Sequence, residues 1–179
     1  MTTTRMTSYD RSMLRLMNDP RGTSLYATPA RRRLAVAAHA ALTAAIVGLF
    51  AHFFLSRAEA IWSAVVVAVL LLPWMVAQGV INSATRGLLE LRAPALDERQ
   101  LAERDRVLAR AHRITTCLLL LAVVGLFVVG DAGGDALRTY AVSALVGTLV
   151  AHFVMPSWVA GLSARDEPSE DETATLQTG

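Results

Sequence analysis

Four long apolar segments, separated by polar stretches, set the pattern of this chain. Each is close to the length that a helix needs to cross a hydrocarbon core of about 30 Å. The segments predict transmembrane helices over residues 34–55, 60–81, 114–130 and 137–160. We therefore expect an all-α polytopic membrane protein, a four-helix transmembrane bundle with a cytoplasmic helical loop.

Capping residues mark where two of the helices begin. Thr28 offers a hydroxyl N-cap and Pro29 suits the first helical position, so the first span should start there. Asp97 and Gln100 have the spacing of a capping box, which predicts a second helix start. No breaker separates this helix from the third span, so we expect it to run on into the membrane.

The same pattern divides the chain into three parts. Residues 1–28 form a cytoplasmic N-terminal segment, and residues 29–161 form the transmembrane domain, which includes the cytoplasmic loop 84–113. Residues 162–179 are acidic and rich in Pro, Ser and Thr, which predicts a disordered cytoplasmic tail.

The N-terminal segment contains a candidate amphipathic helix from Ser8 to Met17. Its apolar residues recur at spacings of three and four, and Asp10 lies on the polar side. We expect this helix to lie on the membrane surface or against the central loop.

The arginines predict the orientation. Three lie directly before the first span, at residues 31–33, and seven lie from Arg86 to Arg113, whereas the two opposite loops carry only Arg57 and Arg138. By the positive-inside rule, both termini and the central loop are cytoplasmic. The partner implied by this topology is the lipid bilayer of a bacterial cell membrane.

Composition narrows the class further. The chain is 54% hydrophobic and 18% charged, and all of its basic residues are arginine, which is typical of a GC-rich bacterial genome. A net charge of +2 gives no reason to expect a nucleic-acid partner. Cys117 is the only cysteine and no enzyme signature is present, so we expect no catalytic residue, no cofactor and no metal site.

Three polar residues have the right depth to meet in the inner leaflet: His39, Gln78 and His152. Three interpretations are open. Each histidine bonds a neighbour and is structural, or the three form a proton-linked or substrate-binding cluster. Haem ligation by His39 and His152 is the least favoured, since axial histidines need facing helices and a wide apolar cleft.

The central loop offers a candidate docking surface for a soluble partner or a second copy. Its residues are Leu96, Asp97, Glu98, Arg99, Leu101 and Leu108. The alternative is a solvated connector whose charges pair with one another, since Arg99 and Glu103 are four residues apart.

Small residues at four-residue spacing predict close helix packing. The first span carries Ala44 and Gly48, and the fourth carries Ser143, Gly147 and Ala151. We expect these two faces to pack together, within one chain or between two.

Residues 96–100 read Leu-Asp-Glu-Arg-Gln, and Arg104-Asp105-Arg106 and Ala111-His112-Arg113-Ile114 follow. These elements resemble those of small actinobacterial four-span membrane proteins of unknown function, which carry an L-D-E-R-[E/Q] box and then an R-D-x-A-like element. The resemblance implies the class and the location and supplies no catalytic residue.

Taken together, the sequence favours a non-enzymatic interaction or regulatory protein of the bacterial cell membrane. Its partner is expected to be a second copy, giving a homodimer, or an unidentified membrane or cytoplasmic protein. The alternative is a small oligomeric transporter or channel-like protein that uses the inner-leaflet cluster.

Overall fold

The structure of the protein, a computed structural model, describes residues 7–17, 19–56, 60–131 and 134–164. Its helices, in chain order, are α1 (Ser8–Met17), a short 3-10 helix (Pro20–Leu25), α2 (Pro29–Ser56), α3 (Ala60–Ala84), a second 3-10 helix (Ala93–Ala95), α4 (Glu98–Asp131) and α5 (Gly134–Ser163). Helices α2 to α5 are long and apolar enough to cross a membrane. The predicted all-α, four-helix fold class is confirmed.

Local sequence accounts for the helix starts. The Arg31 N–H donates to the Thr28 hydroxyl oxygen at 3.3 Å, so Thr28 is the predicted N-cap of α2. The Gln100 N–H donates to Asp97 Oδ1 at 2.7 Å, and the Asp97 N–H donates to Gln100 Oε1 at 3.0 Å. This reciprocal pair is the predicted capping box, and α4 runs on from it without a break.

Helix α5 lies at the centre of the packing. It contacts α2, α3 and α4, and the α4–α5 and α2–α3 pairs have the most extensive contacts. Gly161 marks the closest approach, because a Cβ atom there would lie 2.8 Å from Val36 Cγ2 and 3.2 Å from Ile81 Cγ2. Only glycine fits where α2, α3 and α5 meet without a shift of the neighbours.

The hydrophobic core lies at one end of the bundle. We call it the arginine-rich end; it comprises α1, residues 85–97, the starts of α2 and α4, and the last turns of α3 and α5. Its central cluster consists of Leu88, Val107, Ala111, Met155, Val159 and Ala160.

The other end, which we call the hairpin end, holds the α2–α3 and α4–α5 connections. Among the side chains that the structure describes, none in residues 46–53, 61–72, 116–130 or 140–153 is buried. Many are large and apolar, as suits contact with lipid.

Helix α1 has its predicted bounds, and Asp10, on its polar side, is buried. Asp10 is only 2% exposed. Its Oδ2 accepts from the Thr7 N–H and the Thr7 hydroxyl, both at 2.8 Å, and lies 4.0 Å from Arg92 Nη1. The two Thr7 bonds hold the pKa of the Asp10 carboxyl below its usual range, and the charge on Arg92 acts in the same direction.

A sharp turn after α3 creates the surface on which α1 lies. Arg86 and Gly87 both have positive φ, at 52° and 70°. The Gly87 N–H donates to the Asn82 carbonyl at 2.8 Å, as in a helix C-cap. A Cβ at Gly87 would lie 2.9 Å from Met17 Cγ, so the turn and α1 are in direct contact. Of the two predicted placements for α1, the structure has the one against the loop.

Within the chain, the small-residue face of α5 packs against α2, whereas the small-residue face predicted on α2 does not pack against α5. A Cβ at Gly147 would lie 3.6 Å from Val47 Cγ1, and Ser143 lines a small cavity that Val47 also lines. Ala44 and Gly48 instead face outward, and nothing lies within 4 Å of a Cβ at Gly48.

The reason is that an alanine-rich helix carries several small-residue stripes, and spacing alone does not choose among them. Helix α2 meets α5 through the turn that holds Val47. Ala151, on α5, is half-buried.

Candidate functional site

A fully buried histidine forms the centre of the polar interior. His39 on α2 is 0% exposed. The Trp158 indole N–H on α5 donates to His39 Nδ1 at 2.8 Å, and the two rings meet edge to face with centroids 6.1 Å apart. The Trp74 ring on α3 lies on the other side, 4.6 Å from the imidazole centroid. The imidazole therefore joins three helices.

A threonine one turn further along α2 fixes the second tryptophan. The Trp74 indole N–H donates to Thr43 Oγ1 at 2.9 Å, and the Thr43 hydroxyl donates to the His39 carbonyl at 2.8 Å. Both indole N–H groups thus have partners, as buried tryptophans require. We call His39, Thr43, Trp74 and Trp158 the histidine cluster.

The hydrogen bond from Trp158 defines the protonation of His39. A nitrogen that accepts a hydrogen bond carries no proton, so a neutral ring holds its proton on Nε2. That Nε2 atom is buried and has no hydrogen-bond partner within the described part of the chain. The histidine cluster therefore serves mainly to hold the helices together, and His39 Nε2 is its polar atom without a described partner.

A chain of amide hydrogen bonds runs beside this cluster. Gln78, one turn beyond Trp74 on α3, donates through Nε2 to Ser157 Oγ at 3.1 Å and to Asn82 Oδ1 at 3.0 Å. Asn82 Nδ2 donates in turn to Glu90 Oε1 at 3.3 Å, and Glu90 is exposed. The chain links the interior of the bundle to its arginine-rich end.

The structure does not place His152 with His39 and Gln78. His152 is exposed on α5, whereas Ser157 and Trp158, which contact Gln78 and His39, lie five and six residues further on. At about 100° per residue these positions are about 140° and 120° away around the helix. At 1.5 Å per residue these positions also lie about 8 Å and about 9 Å further along α5, so His152 differs from the predicted arrangement in depth as well as in direction.

The same geometry excludes haem ligation by His39 and His152, because the His39 ring lies against Trp74 and Trp158 and does not face His152. Within the residues that the structure describes, no group of three or more His, Cys, Asp or Glu side chains could hold a metal ion.

His152 instead lines a groove between α4 and α5, with a cavity of about 480 Å³. The groove lies on the outer surface of the bundle. Its lining residues are His112, Thr115, Thr116, Leu119, Leu145, Thr148, Leu149 and His152. We call this surface the His–Thr face.

The threonines of the His–Thr face are satisfied within their own helices. The Thr116 hydroxyl donates to the His112 carbonyl at 2.8 Å, and the Thr148 hydroxyl donates to the Ala144 carbonyl at 2.8 Å. The imidazoles of His112 and His152 are exposed and make no hydrogen bond to any other described residue. They are the two polar groups on this face that still need partners.

The sequence contained a signal for this face. His112 precedes Thr115 and Thr116 by three and four residues, and Thr148 precedes His152 by four. Helical residues at these spacings share a face. His112 was overlooked because it was read as part of the charged loop.

The predicted docking residues of the loop differ in availability. Leu96 is buried and Asp97 is used in the capping box, so these two cannot anchor a partner without disturbing the fold. Glu98 and Arg99 are exposed, Leu101 is half-buried and Leu108 is 39% exposed.

The ion pair expected between Arg99 and Glu103 in the loop is absent. In the described part of the chain, their charged groups do not approach within 4.0 Å. Glu98, Arg99 and Leu108 are thus the exposed members of the predicted docking surface that the capping box does not use.

These features define a multi-pass, all-α membrane protein whose polar side chains gather towards one end of the bundle. No protein-family model, curated protein or solved structure matches the chain.

Proposed function

We propose that the protein is a non-enzymatic interaction protein of the bacterial cell membrane, and that it binds a second copy of itself through the His–Thr face. One observation carries the proposal: two imidazoles, His112 and His152, lie on the outer surface of α4 and α5 without a hydrogen bond to any other described residue. His152 lies within an apolar span, where lipid offers it no hydrogen bond, so we expect it to face another helix or a cavity. His112 lies two residues before the apolar run of α4 and lines the same groove as His152.

The chemistry of imidazole favours a second copy as the occupant. A neutral ring donates through one nitrogen and accepts through the other, so it is complementary to itself. In a two-fold dimer, residue i contacts residue j and residue j contacts residue i. His112 of one copy and His152 of the other satisfy this condition twice across the axis.

The proposed location follows from charge. The arginine-rich end lies on the cytoplasmic side under the positive-inside rule, with both termini inside. Labelling of single cysteines in a Cys117→Ser background tests this orientation. An impermeant maleimide applied to intact cells should react with Arg57→Cys and spare Glu98→Cys; the reverse would place the arginine-rich end outside.

Dimerisation is tested by fluorescence energy transfer between labelled full-length chains in liposomes, across a range of protein-to-lipid ratios. His152→Ala and His112→Ala should each weaken the dimer by about ten- to a thousandfold, the range of the two interhelical hydrogen bonds that each change removes across the axis. His52→Ala, an exposed histidine on α2, is the matched control and should leave the dimer unchanged. A monomeric wild type, or equal transfer in all three variants, would remove the support for this function.

A second candidate function is conduction of protons or a small polar solute. It is favoured by two buried polar atoms without a described partner, His39 Nε2 and Gln78 Oε1, beside the chain of bonds that leads to Glu90. Proton flux into liposomes should fall in Gln78→Leu if this function holds. Flux that equals that of empty liposomes would reject it.

A further inference from the structure

The arginine-rich end contains a second groove, between the first turns of α4 and the last turns of α5. Its cavity is about 210 Å³. The residues that matter for its chemistry are Arg99, Glu103, Arg106, Val107, Arg110 and Val159. The α4 members recur at spacings of three and four, so they share one helix face. We call this site the arginine groove.

The groove has an excess of positive charge that the described chain does not neutralise. Three guanidinium groups surround one carboxylate, that of Glu103. Arg99 and Arg110 make no hydrogen bond or ion pair with another described residue. Arg106 uses only its Nε, which donates to the Ala102 carbonyl at 3.2 Å. The terminal nitrogens of all three arginines remain available to a ligand.

Nearby arginines outside the groove are engaged in the fold. Arg92 Nη1 lies 4.0 Å from Asp10 Oδ2, and Arg104 Nη1 donates to the Leu91 carbonyl at 3.1 Å. Arg92 and Arg104 thus contribute to the fold, whereas the terminal nitrogens of the groove arginines have no such role in the described chain.

The level of the groove along α4 matches a membrane surface. The apolar run of α4 begins at Ile114. Arg110 and Arg106 precede it by four and eight residues, which is about 6 Å and about 12 Å along the helix axis. The headgroup layer on each side of the hydrocarbon core is about 5–8 Å thick. Arg110 lies at that depth and Arg106 at its aqueous edge.

The walls of the groove also suit a lipid headgroup. Val107 and Val159 are buried beneath the arginines and form an apolar floor. Arginine presents a planar fork of donors that matches the oxygens of a phosphate. Basic pockets between membrane helices on the cytoplasmic side are a known setting for anionic headgroups.

We propose that the arginine groove binds the phosphate group of an anionic phospholipid from the adjoining leaflet. This goes beyond the proposed dimer, because none of its residues belongs to the His–Thr face. The two proposals can therefore fail separately.

The acidic tail of the chain is the alternative source of negative charge for the same arginines. Residues 166–172 contain five carboxylates and begin shortly after Ser163, which also lines the groove. Lipid is favoured because the groove has an apolar floor and lies at the depth of the headgroups. The tail is an outcome that the experiment must detect.

The experiment is native mass spectrometry of the full-length chain in detergent, titrated with dioleoyl phosphatidylglycerol. Phosphatidylcholine and inorganic phosphate are titrated as reference ligands. The groove variant is Arg106→Gln with Arg110→Gln. The matched control is Arg11→Gln with Arg33→Gln, which removes the same charge from exposed positions on α1 and α2, outside the groove.

The groove variant should bind phosphatidylglycerol about tenfold more weakly or worse, because it loses two charge-assisted contacts. The control should stay within about threefold of the wild type, and phosphatidylcholine should bind weakly to all of them. Thermal unfolding of each variant establishes that it is folded, and Arg110→Gln alone replaces the pair if it is not.

Three results would overturn the proposal. Equal losses in the groove variant and the control would mean unspecific attraction between charges. Equally tight binding of inorganic phosphate would mean a site for a soluble anion. Phosphatidylglycerol binding that appears only after truncation at Ala164 would mean that the tail occupies the groove.

Discussion

The two ends of the bundle are built differently. At the arginine-rich end, apolar side chains form a core, three helices converge on His39, and α1 covers the turn after α3. At the hairpin end, the described side chains are half-buried or exposed, and neighbouring helices meet around apolar cavities such as the one that Val47 and Phe50 line.

This difference teaches where membrane helices obtain their stability. Lipid is as apolar as leucine, so burying apolar surface between spans gains little. Close packing at small residues, polar bonds and a water-exposed cap supply the stability instead. All three occur at the arginine-rich end, as Gly161, His39 and α1 illustrate.

The largest effect is expected from adding a methyl group where three helices meet. Gly161→Ala should lower the free energy of unfolding by about 2–3 kcal/mol, because its Cβ would overlap Val36 Cγ2. Gly48→Ala, at the hairpin end, meets nothing within 4 Å and should be neutral or slightly stabilising. Denaturant titration in micelles measures both; equal effects would erase the contrast between the ends.

A smaller effect is expected from removing one hydrogen bond. Trp158→Phe keeps an aromatic ring but leaves His39 Nδ1 without its donor, which should cost about 1–2 kcal/mol. Trp62→Phe, an exposed position on α3, should change stability by less than about 0.5 kcal/mol. The same titration compares them, and a neutral Trp158→Phe would mean that the histidine cluster does not hold the helices together.

The smallest effect is a dependence on pH at the cap. The folded-state pKa of Asp10 is lowered, so its contribution is present above its unfolded pKa and is lost as the pH falls through the folded value. Between neutral pH and pH values below about 4, the wild type should lose more stability than Asp10→Asn. Asp105→Asn, exposed on α4, should behave like the wild type. Parallel pH profiles for all three would contradict the role of Asp10.

Sequence reasoning succeeded where the signal is local. Apolar length predicted the four spans, and side-chain chemistry predicted the caps at Thr28 and Asp97. These features depend on residues within one turn of each other, so the rest of the fold has little influence on them.

Sequence reasoning failed for contacts that depend on which side of a helix a residue occupies. His39 and His152 were predicted at similar depth, but His39 lies level with Trp158, six residues beyond His152 on α5. The two imidazoles also have different surroundings. Asp10 was predicted on the polar side of α1, and the structure buries it with Thr7 and Arg92 as its partners. Helix rotation and loop placement depend on long-range contacts, which a single sequence with many alanines does not specify.

The central claim is that stability is concentrated at the arginine-rich end, and hydrogen–deuterium exchange of the full-length chain in micelles tests it most directly. Within α5, amides of residues 154–161 should exchange at least about tenfold more slowly than those of residues 140–147. If only the surrounding detergent protected the amides, residues 154–161 would exchange faster than residues 140–147, because they lie nearer an end of α5. Equal rates in the two segments, or faster exchange in 154–161, would contradict the account.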